Sequence, residues 1–173
     1  ETEESSVGWA GRALVALAGA GMLVLSGCAG QNPNHAATID GVALPVSEVE
    51  ATLPVLKPYL QDPSVATVTG LLVTSRVGAK IAQQEGLQFT AEERETASAA
   101  SLPPDLAADP NLAGFVTDYV TTMLTSQKLG QEGFIAAASA IDVTVNPRFG
   151  SWDVTRLAVV PGTGSLSSPA PAS

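Results

Sequence analysis

The chain has 173 residues and a formal net charge of −9, from 17 acidic and 8 basic side chains. An acidic protein without a local cluster of Lys or Arg repels phosphate backbones, so this composition argues against nucleic-acid binding. One cysteine cannot form an intrachain disulfide, and one histidine without a second His or another Cys gives no support for a metal site or Cys/His catalysis.

Residues 1–27 have the features of a removable signal peptide. Arg12 precedes thirteen residues without a charge, Ala13–Leu25. As a helix this segment spans roughly 20 Å, short of the ~30 Å hydrocarbon core of a bilayer, so it fits a signal peptide better than a transmembrane helix. The alternative is a buried core helix that happens to precede a cysteine.

The tetrapeptide at the end of this segment explains the single cysteine. Leu25, Ser26 and Gly27 precede Cys28. This order resembles the bacterial lipobox, in which one large aliphatic residue and two small residues precede a cysteine that is lipidated before cleavage. The resemblance implies a covalent diacylglyceryl and acyl lipid on Cys28 and no other cofactor. It also implies a lipoprotein anchored to the extracytoplasmic face of the cell membrane.

Small and polar residues flank the expected folded domain on both sides. Residues 28–36, which include the only histidine, His35, are predicted to form a flexible tether after the lipidated cysteine. Residues 161–173 are dominated by Gly, Ser, Pro and Ala and are predicted to be disordered. The folded domain is therefore expected to span residues 37–160.

The first half of this domain contains an extended segment and three predicted helices. Residues 37–44 are interrupted by an Asp-Gly turn, and Ser47 with Glu50 has the spacing of a capping box at the start of a short helix. Apolar residues at three- and four-residue steps predict a second helix from Pro63 or Ser64 to Glu85, ended by Gly86. A second capping box, Thr90 with Glu93, predicts a polar third helix that ends near Ala100.

The second half begins with the clearest amphipathic pattern in the chain. Its apolar stripe, which we expect to lie mainly in the core, consists of Leu112, Phe115, Val116, Tyr119, Val120, Met123 and Leu124. Gly130 interrupts the pattern, and residues 134–141 are expected to form a further short helix. Residues 141–145 alternate like a strand and residues 152–160 are expected to be extended. The prediction is a mainly α fold of four or five helices with a short C-terminal β segment.

Three segments, in this order, resemble a known domain. They are residues 37–49, with an Asp-Gly turn before a helix; residues 71–93, a long helix that ends at Gly and leads to a capped helix; and residues 141–150, a strand followed by Asn-Pro-Arg-Phe-Gly. Together they resemble the N-terminal, chaperone-type domain of the SurA and PrsA families of extracytoplasmic folding factors. The third segment is similar to the tail of actinobacterial members.

The resemblance implies a domain that binds unfolded or exported polypeptides. Many members of these families insert a parvulin-type prolyl isomerase domain, but no room exists for it between Gly130 and Phe134, and the histidines of that site are absent. We therefore expect a chaperone-like binder without enzymatic activity. The alternative is an adaptor lipoprotein that serves one specific envelope complex.

Four aromatic residues are candidate peptide contacts: Phe115, Tyr119, Phe149 and Trp152. Phe149 and Trp152, beside Arg148, could form a contact patch or could fold back to complete a core that is poor in aromatic residues. The acidic residues at the start of the third helix have the usual placement of side chains that stabilise a helix dipole, and we interpret them so rather than as a catalytic pair.

Overall fold

The structure is a computed structural model that describes residues 32–160; the predicted signal peptide, Cys28 and the C-terminal tail lie outside these residues. The described residues contain five α-helices and five short strands, which confirms the mainly α fold with a short C-terminal β segment. In chain order the elements are β1 His35–Ile39, β2 Val42–Pro45, α1 Val46–Leu56, α2 Val65–Gln84, α3 Ala91–Ser101, α4 Pro104–Ala107, α5 Ala113–Ala138, β3 Val143–Val145, β4 Ser151–Asp153 and β5 Ala158–Val160. Two single 3-10 turns, Lys57–Tyr59 and Pro110–Leu112, precede α2 and α5.

The N-terminal hairpin and the first C-terminal strand form one sheet. β1 is the central strand and pairs antiparallel with β2 on one side and with β3 on the other. The predicted Asp-Gly turn joins β1 to β2: Asp40 and Gly41 both have positive φ, 46° and 78°, as a tight two-residue hairpin turn requires. The segment expected to be extended over residues 152–160 is instead a second hairpin, β4–β5, with its turn at Val154–Leu157.

The predicted end of the tether at residue 36 is wrong. His35 and Ala36 are the first residues of β1, and Ala36 is completely buried. Asn146, which follows β3, donates its backbone N–H to the Ala36 carbonyl at 2.8 Å and its side-chain amide to the His35 carbonyl at 3.1 Å. Composition alone assigns these residues to a tether because their partners are supplied by a strand more than a hundred residues away.

The two predicted capping boxes have different outcomes. At α3 the box is present: Glu93 N–H donates to Thr90 Oγ1 at 3.1 Å, and Thr90 N–H donates to Glu93 Oε2 at 2.6 Å. At α1 the prediction is wrong, because β2 continues directly into the helix and Ser47 already lies inside it. The N-cap is Pro45, without a side-chain cap, and the Val46 N–H instead donates to the Asn34 carbonyl at 2.8 Å.

The ends of the later helices follow the predicted glycines. Gly86, with φ of 63°, ends α2 as predicted; its N–H donates to Gln83 and the Leu87 N–H to Ala82, the hydrogen-bond pattern of a Schellman motif. Gly130, with φ of 70° and ψ of 169°, breaks α5 at the predicted residue. The helical segment after it ends at Ala138, three residues earlier than predicted, and Ile141 lies buried in the connection to β3.

Helix α2 is the centre of the core. It packs against α1, α5 and the β4–β5 hairpin, and Val68, Val73, Val77 and Ile81 are completely buried. Among the described helices it alone is long and apolar enough, by length and composition, to cross a membrane. Half of it is buried within the fold, as is usual for the core helix of a globular domain.

Helix α5 approaches α2 through small and polar residues. A side-chain Cβ at Gly78 of α2 would overlap the Thr122 side chain of α5. Thr122 Oγ1 lies 2.8 Å from the Ser75 carbonyl of α2 and 2.7 Å from the Asp118 carbonyl of its own helix, so its one hydroxyl hydrogen is shared between the two helices. The absence of a side chain at Gly78 therefore permits the close contact between the two longest helices.

The expectation that the apolar stripe of α5 lies mainly in the core is only partly correct. Leu112 and Val120 are buried, but the other stripe residues are only half-buried: Phe115, Val116, Tyr119, Met123 and Leu124. Thr121 and Thr125, which a hydropathy pattern counts as polar, are buried instead. The Thr125 hydroxyl donates to the Thr121 carbonyl at 2.7 Å, which satisfies it within the helix and permits its burial.

The contact at Gly78 can be tested with two glycines of the same helix. We expect Gly78→Ala to destabilise the protein by about 1–3 kcal/mol, because the new methyl group forces α2 and α5 apart. Gly70→Ala is the control: its Cβ would lie at an ordinary 3.6 Å from Val159, and alanine favours a helix by up to about 1 kcal/mol. Urea unfolding of both variants is the measurement, and equal stabilities would contradict the close packing at Gly78.

Candidate functional site

Helix α3 covers one side of the half-buried apolar stripe of α5. It has no buried residue, and its side chains towards α5 are small, chiefly Ala97 and Ala100. One polar contact joins the two helices directly: Arg94 Nη1 donates to Thr121 Oγ1 at 3.2 Å. Between them lies an open groove of about 430 Å³ that Leu124 of α5 also lines. The cover is thus thin and held by few contacts.

The structure brings together two of the four predicted aromatic contacts. Phe115 and Tyr119 lie one turn apart on α5, with ring centroids 5.7 Å apart and ring planes tilted by 37°. Both side chains are half-buried, and Phe115 also packs against the core. They form the N-terminal part of the incompletely covered stripe.

Phe149 and Trp152 form a separate region after β3. Both are half-buried and pack against the core, and the Arg148 guanidinium lies 4.4 Å from the centre of the Phe149 ring. The Trp152 Nε1 is buried and has no acceptor among residues 32–160. In that part of the chain no ring–ring contact joins this pair to Phe115 and Tyr119. The packing fits core completion better than an open patch, and the role of this pair as peptide contacts stays a prediction.

A second groove, of about 560 Å³, lies on the other side of α5. Its walls come from the N-terminal hairpin, the start of α1, α2 and one residue of α5, Asp118. The apolar part of the wall includes Ile39, Ala43 and Val42, and Val42 is 62% exposed, the most exposed large hydrophobic residue in the described part of the chain. We call this the hairpin groove.

The two basic residues of the hairpin groove are each paired with an acid. Arg76 Nη2 donates to both carboxylate oxygens of Glu48, at 2.6 and 2.7 Å, and Arg76 Nη1 donates to the Ala43 carbonyl at 3.4 Å. Lys80 Nζ lies 3.6 Å from Asp40 Oδ2. Arg76 thus joins α2 to α1 through Glu48 and to β2 through the Ala43 carbonyl, and Lys80 joins α2 to the hairpin turn.

Asp118 differs from the other acids of the hairpin groove. Its carboxylate has no hydrogen-bond or salt-bridge partner among residues 32–160, and the side chain is partly buried. Desolvation raises the pKa of Asp118 above the ordinary 3.8; Arg76 opposes this shift and Glu48 adds to it. In the sequence, Asp118 is a lone acidic residue within the amphipathic pattern, next to Tyr119. The apolar spacing does not indicate that its side chain lines a groove.

The other acidic candidates have structural roles. Glu93 is held in the capping box of α3, and the hydrogen bonds from the Thr90 backbone and side chain lower the pKa of Glu93. Across residues 32–160, no three His, Cys, Asp or Glu side chains lie close enough together to hold a metal ion. Cys28 and the lipobox residues Leu25, Ser26 and Gly27 lie outside the described residues.

In comparisons with known proteins, no family model, no curated protein and no solved structure matches this chain. The resemblance to SurA- and PrsA-type domains therefore stays a prediction from the three sequence segments described above.

The environment of Asp118 predicts the stability of an isosteric variant. Because its pKa is raised in the folded state, ionisation of Asp118 lowers stability as the pH rises from 3.8 through the raised pKa. We expect Asp118→Asn to be at least as stable as the wild type at neutral pH. The advantage should vanish below the ordinary aspartate pKa, where the wild-type side chain is also neutral.

Urea unfolding at neutral and acidic pH measures this difference. Glu132→Gln is the matched control, since Glu132 is an exposed acid of the same helix outside the groove. A clear loss of stability in Asp118→Asn at neutral pH, absent from Glu132→Gln, would show that Arg76 stabilises the ionised Asp118 more than burial destabilises it.

Proposed function

We propose that the protein is a lipid-anchored, extracytoplasmic lipoprotein that binds unfolded or newly exported polypeptides without catalysing their isomerisation. The observation that carries the binding part of the proposal is the half-buried apolar stripe of α5 beneath a thin cover. A buried stripe would serve the core alone, whereas this stripe retains apolar surface that another chain can contact. Shallow apolar contacts of this kind tolerate many client sequences.

The weak attachment of α3 supports the same proposal. A helix without buried side chains contributes little apolar burial, so its displacement costs less free energy than that of α2 or α5. A client segment can then replace α3 on the stripe and gain the contacts of Leu124, Val116 and their neighbours. The likeness of residues 37–49, 71–93 and 141–150 to SurA- and PrsA-type domains points to the same class of ligand.

The anchoring part of the proposal is supported by Leu25-Ser26-Gly27-Cys28 after an apolar segment of signal-peptide length. A lipid on Cys28 places the folded domain at the outer surface of the membrane, where unfolded exported chains emerge. Because the described domain begins by residue 35, the linker between anchor and domain is at most a few residues long.

The anchor can be tested by Cys28→Ala. In cells that process bacterial lipoproteins, we expect the wild type to incorporate radiolabelled palmitate and to lose its leader, and Cys28→Ala to do neither, because no thiolate is present to accept the diacylglyceryl group. Met22→Leu, a leader change outside the lipobox, is the control and should behave as the wild type. Labelling and a processed N terminus in Cys28→Ala would refute the anchor.

The client-binding surface can be tested with the two tyrosines of the chain. We expect purified full-length protein in mild detergent to slow the aggregation of unrelated unfolded proteins, and Tyr119→Ser to lower this capacity severalfold by removing an aromatic contact from the stripe. Tyr59→Ser is the matched control, because Tyr59 is 42% exposed and lies outside the stripe. Light scattering measures aggregation, and circular dichroism verifies folding.

Two results would contradict this proposal. Equal capacities of Tyr119→Ser and Tyr59→Ser would exclude the stripe as the contact surface. No protection by the wild type, together with recovery of a single stoichiometric partner from membranes, would favour the adaptor function over a chaperone-like one.

A further inference from the structure

We infer that the hairpin groove is a subsite for a cationic side chain, Lys or Arg, of a bound polypeptide, with Asp118 as its counter-charge. This inference rests on the proposed function, since it names a class of client residue, but it concerns a groove separate from the apolar stripe. Tyr119 of the stripe directly follows Asp118 on α5. Because the groove opens on the other side of α5, a client would contact it with a part of its chain that extends past the stripe and around the helix.

The walls of the groove match the stem of such a side chain. Val42, Ala43 and Ala79 line it with apolar side chains over the buried Ile39, and the exposed Val42 directly follows the hairpin turn. Lys and Arg bury their methylene stems against apolar surface while their charged ends seek a polar partner. A groove of about 560 Å³ accommodates a side chain of this size.

The charged residues of the groove favour a cationic ligand. Arg76 forms an ion pair with both carboxylate oxygens of Glu48, and Lys80 forms one with Asp40. Asp118 is the acid that these pairs leave without a partner within residues 32–160. A cation bound there forms an ion pair in a partly desolvated place, where the attraction is stronger than at a free surface. Residues 1–27 contribute −2 through three Glu and one Arg, so the net charge of −9 becomes −7 after their removal, and this charge also attracts cationic segments from a distance.

An anionic ligand does not fit the same groove. It would have to displace Glu48 from a bidentate contact with Arg76 or Asp40 from Lys80, and it would then lie near the unpartnered Asp118. Asp118 would repel the anion, and the charges of Arg76 and Lys80 are already offset by the carboxylates beside them. The geometry thus separates cationic from anionic residues.

The test compares two labelled peptides that differ by one charge. Both are short, unstructured peptides of Ser, Val and Leu with one central Lys, which is acetylated in the second peptide. Fluorescence anisotropy with detergent-solubilised full-length protein gives the Kd of each. We expect the wild type to bind the Lys peptide about five- to tenfold more tightly than the acetylated one, as one ion pair in a half-buried groove provides.

Two variants assign that preference to Asp118. Asp118→Asn keeps the side-chain shape and should bind both peptides with the weaker affinity, whereas Glu132→Gln, with the same loss of one acid, should keep the full preference. Acidification should begin to weaken the preference of the wild type as the pH falls through the raised pKa of Asp118, because protonation neutralises the carboxylate. Glu48, Arg76 and Lys80, which face the same groove, and Asp40, which pairs with Lys80, are unchanged in Asp118→Asn. Its loss of preference therefore isolates the one carboxylate.

The outcomes separate this inference from the proposed function. Equal binding of both peptides by the wild type would overturn the subsite while the function stands. A preference that survives in Asp118→Asn would also overturn it, since another acid would then be responsible. Failure of both peptides to bind would overturn the subsite as well, and the aggregation assay, which needs no Lys in the client, would decide the fate of the proposed function.

Discussion

The close contact between Gly78 of α2 and Thr122 of α5 determines which face of α5 remains available. Because no side chain separates the backbones there, α5 turns its short polar residues towards α2, and the Thr122 hydroxyl bonds to the Ser75 carbonyl. Residues that a helix packs against one neighbour are not available on its opposite side. With Thr122 against α2 and Thr125 buried, Tyr119, Met123 and Leu124 of the apolar stripe stay only half-buried. The incompletely covered surface therefore follows from the packing of the two longest helices.

The two grooves beside α5 have walls that are held by different numbers of contacts. On the hairpin side, the Asp40 carboxylate accepts the Asp142 N–H at 3.0 Å and the Gln84 amide at 3.2 Å and also pairs with Lys80, so one side chain joins the β1–β2 turn to α2 and to the residue before β3. On the α3 side, no residue of the covering helix is buried. A wall held by several hydrogen bonds, as on the hairpin side, suits recognition of one kind of side chain. A wall with few contacts, as on the α3 side, suits contact with many sequences.

Local signals in the sequence were sufficient for most elements. The capping box of Thr90 with Glu93, the Asp40-Gly41 turn and the helix ends at Gly86 and Gly130 act over a few residues, and each lies where it was predicted. The errors occur where distant residues decide. The spacing of Ser47 to Glu50 predicts a helix start at Ser47. In the structure, β2 leads directly into α1, and the Asn34 carbonyl accepts the hydrogen bond of the first helical N–H.

The candidate sites were predicted less well, for the same reason. Hydropathy spacing identifies the apolar residues of α5 but does not show which face of α5 packs against α2. A threonine whose hydroxyl bonds within its own helix can be buried, yet it counts as polar in a hydropathy pattern. The residues next to Asp118 in the sequence likewise do not indicate its surroundings in the fold. Its desolvation arises from the hairpin and from α1 and α2, and its lack of a partner arises because Glu48 and Asp40 already hold the two nearby cations.

An unpaired acid in such a place is a cost to the fold, and that cost is informative. Stability alone would favour an uncharged residue at position 118, because burial disfavours the ionised carboxylate more than Arg76 favours it. Residues that lower stability without serving the fold are characteristic of binding surfaces, where the missing partner comes from the ligand. A bound cation would remove the penalty on Asp118, so part of the binding free energy would come from relief of that penalty. The other acids of the groove, already paired within the protein, cannot provide this gain.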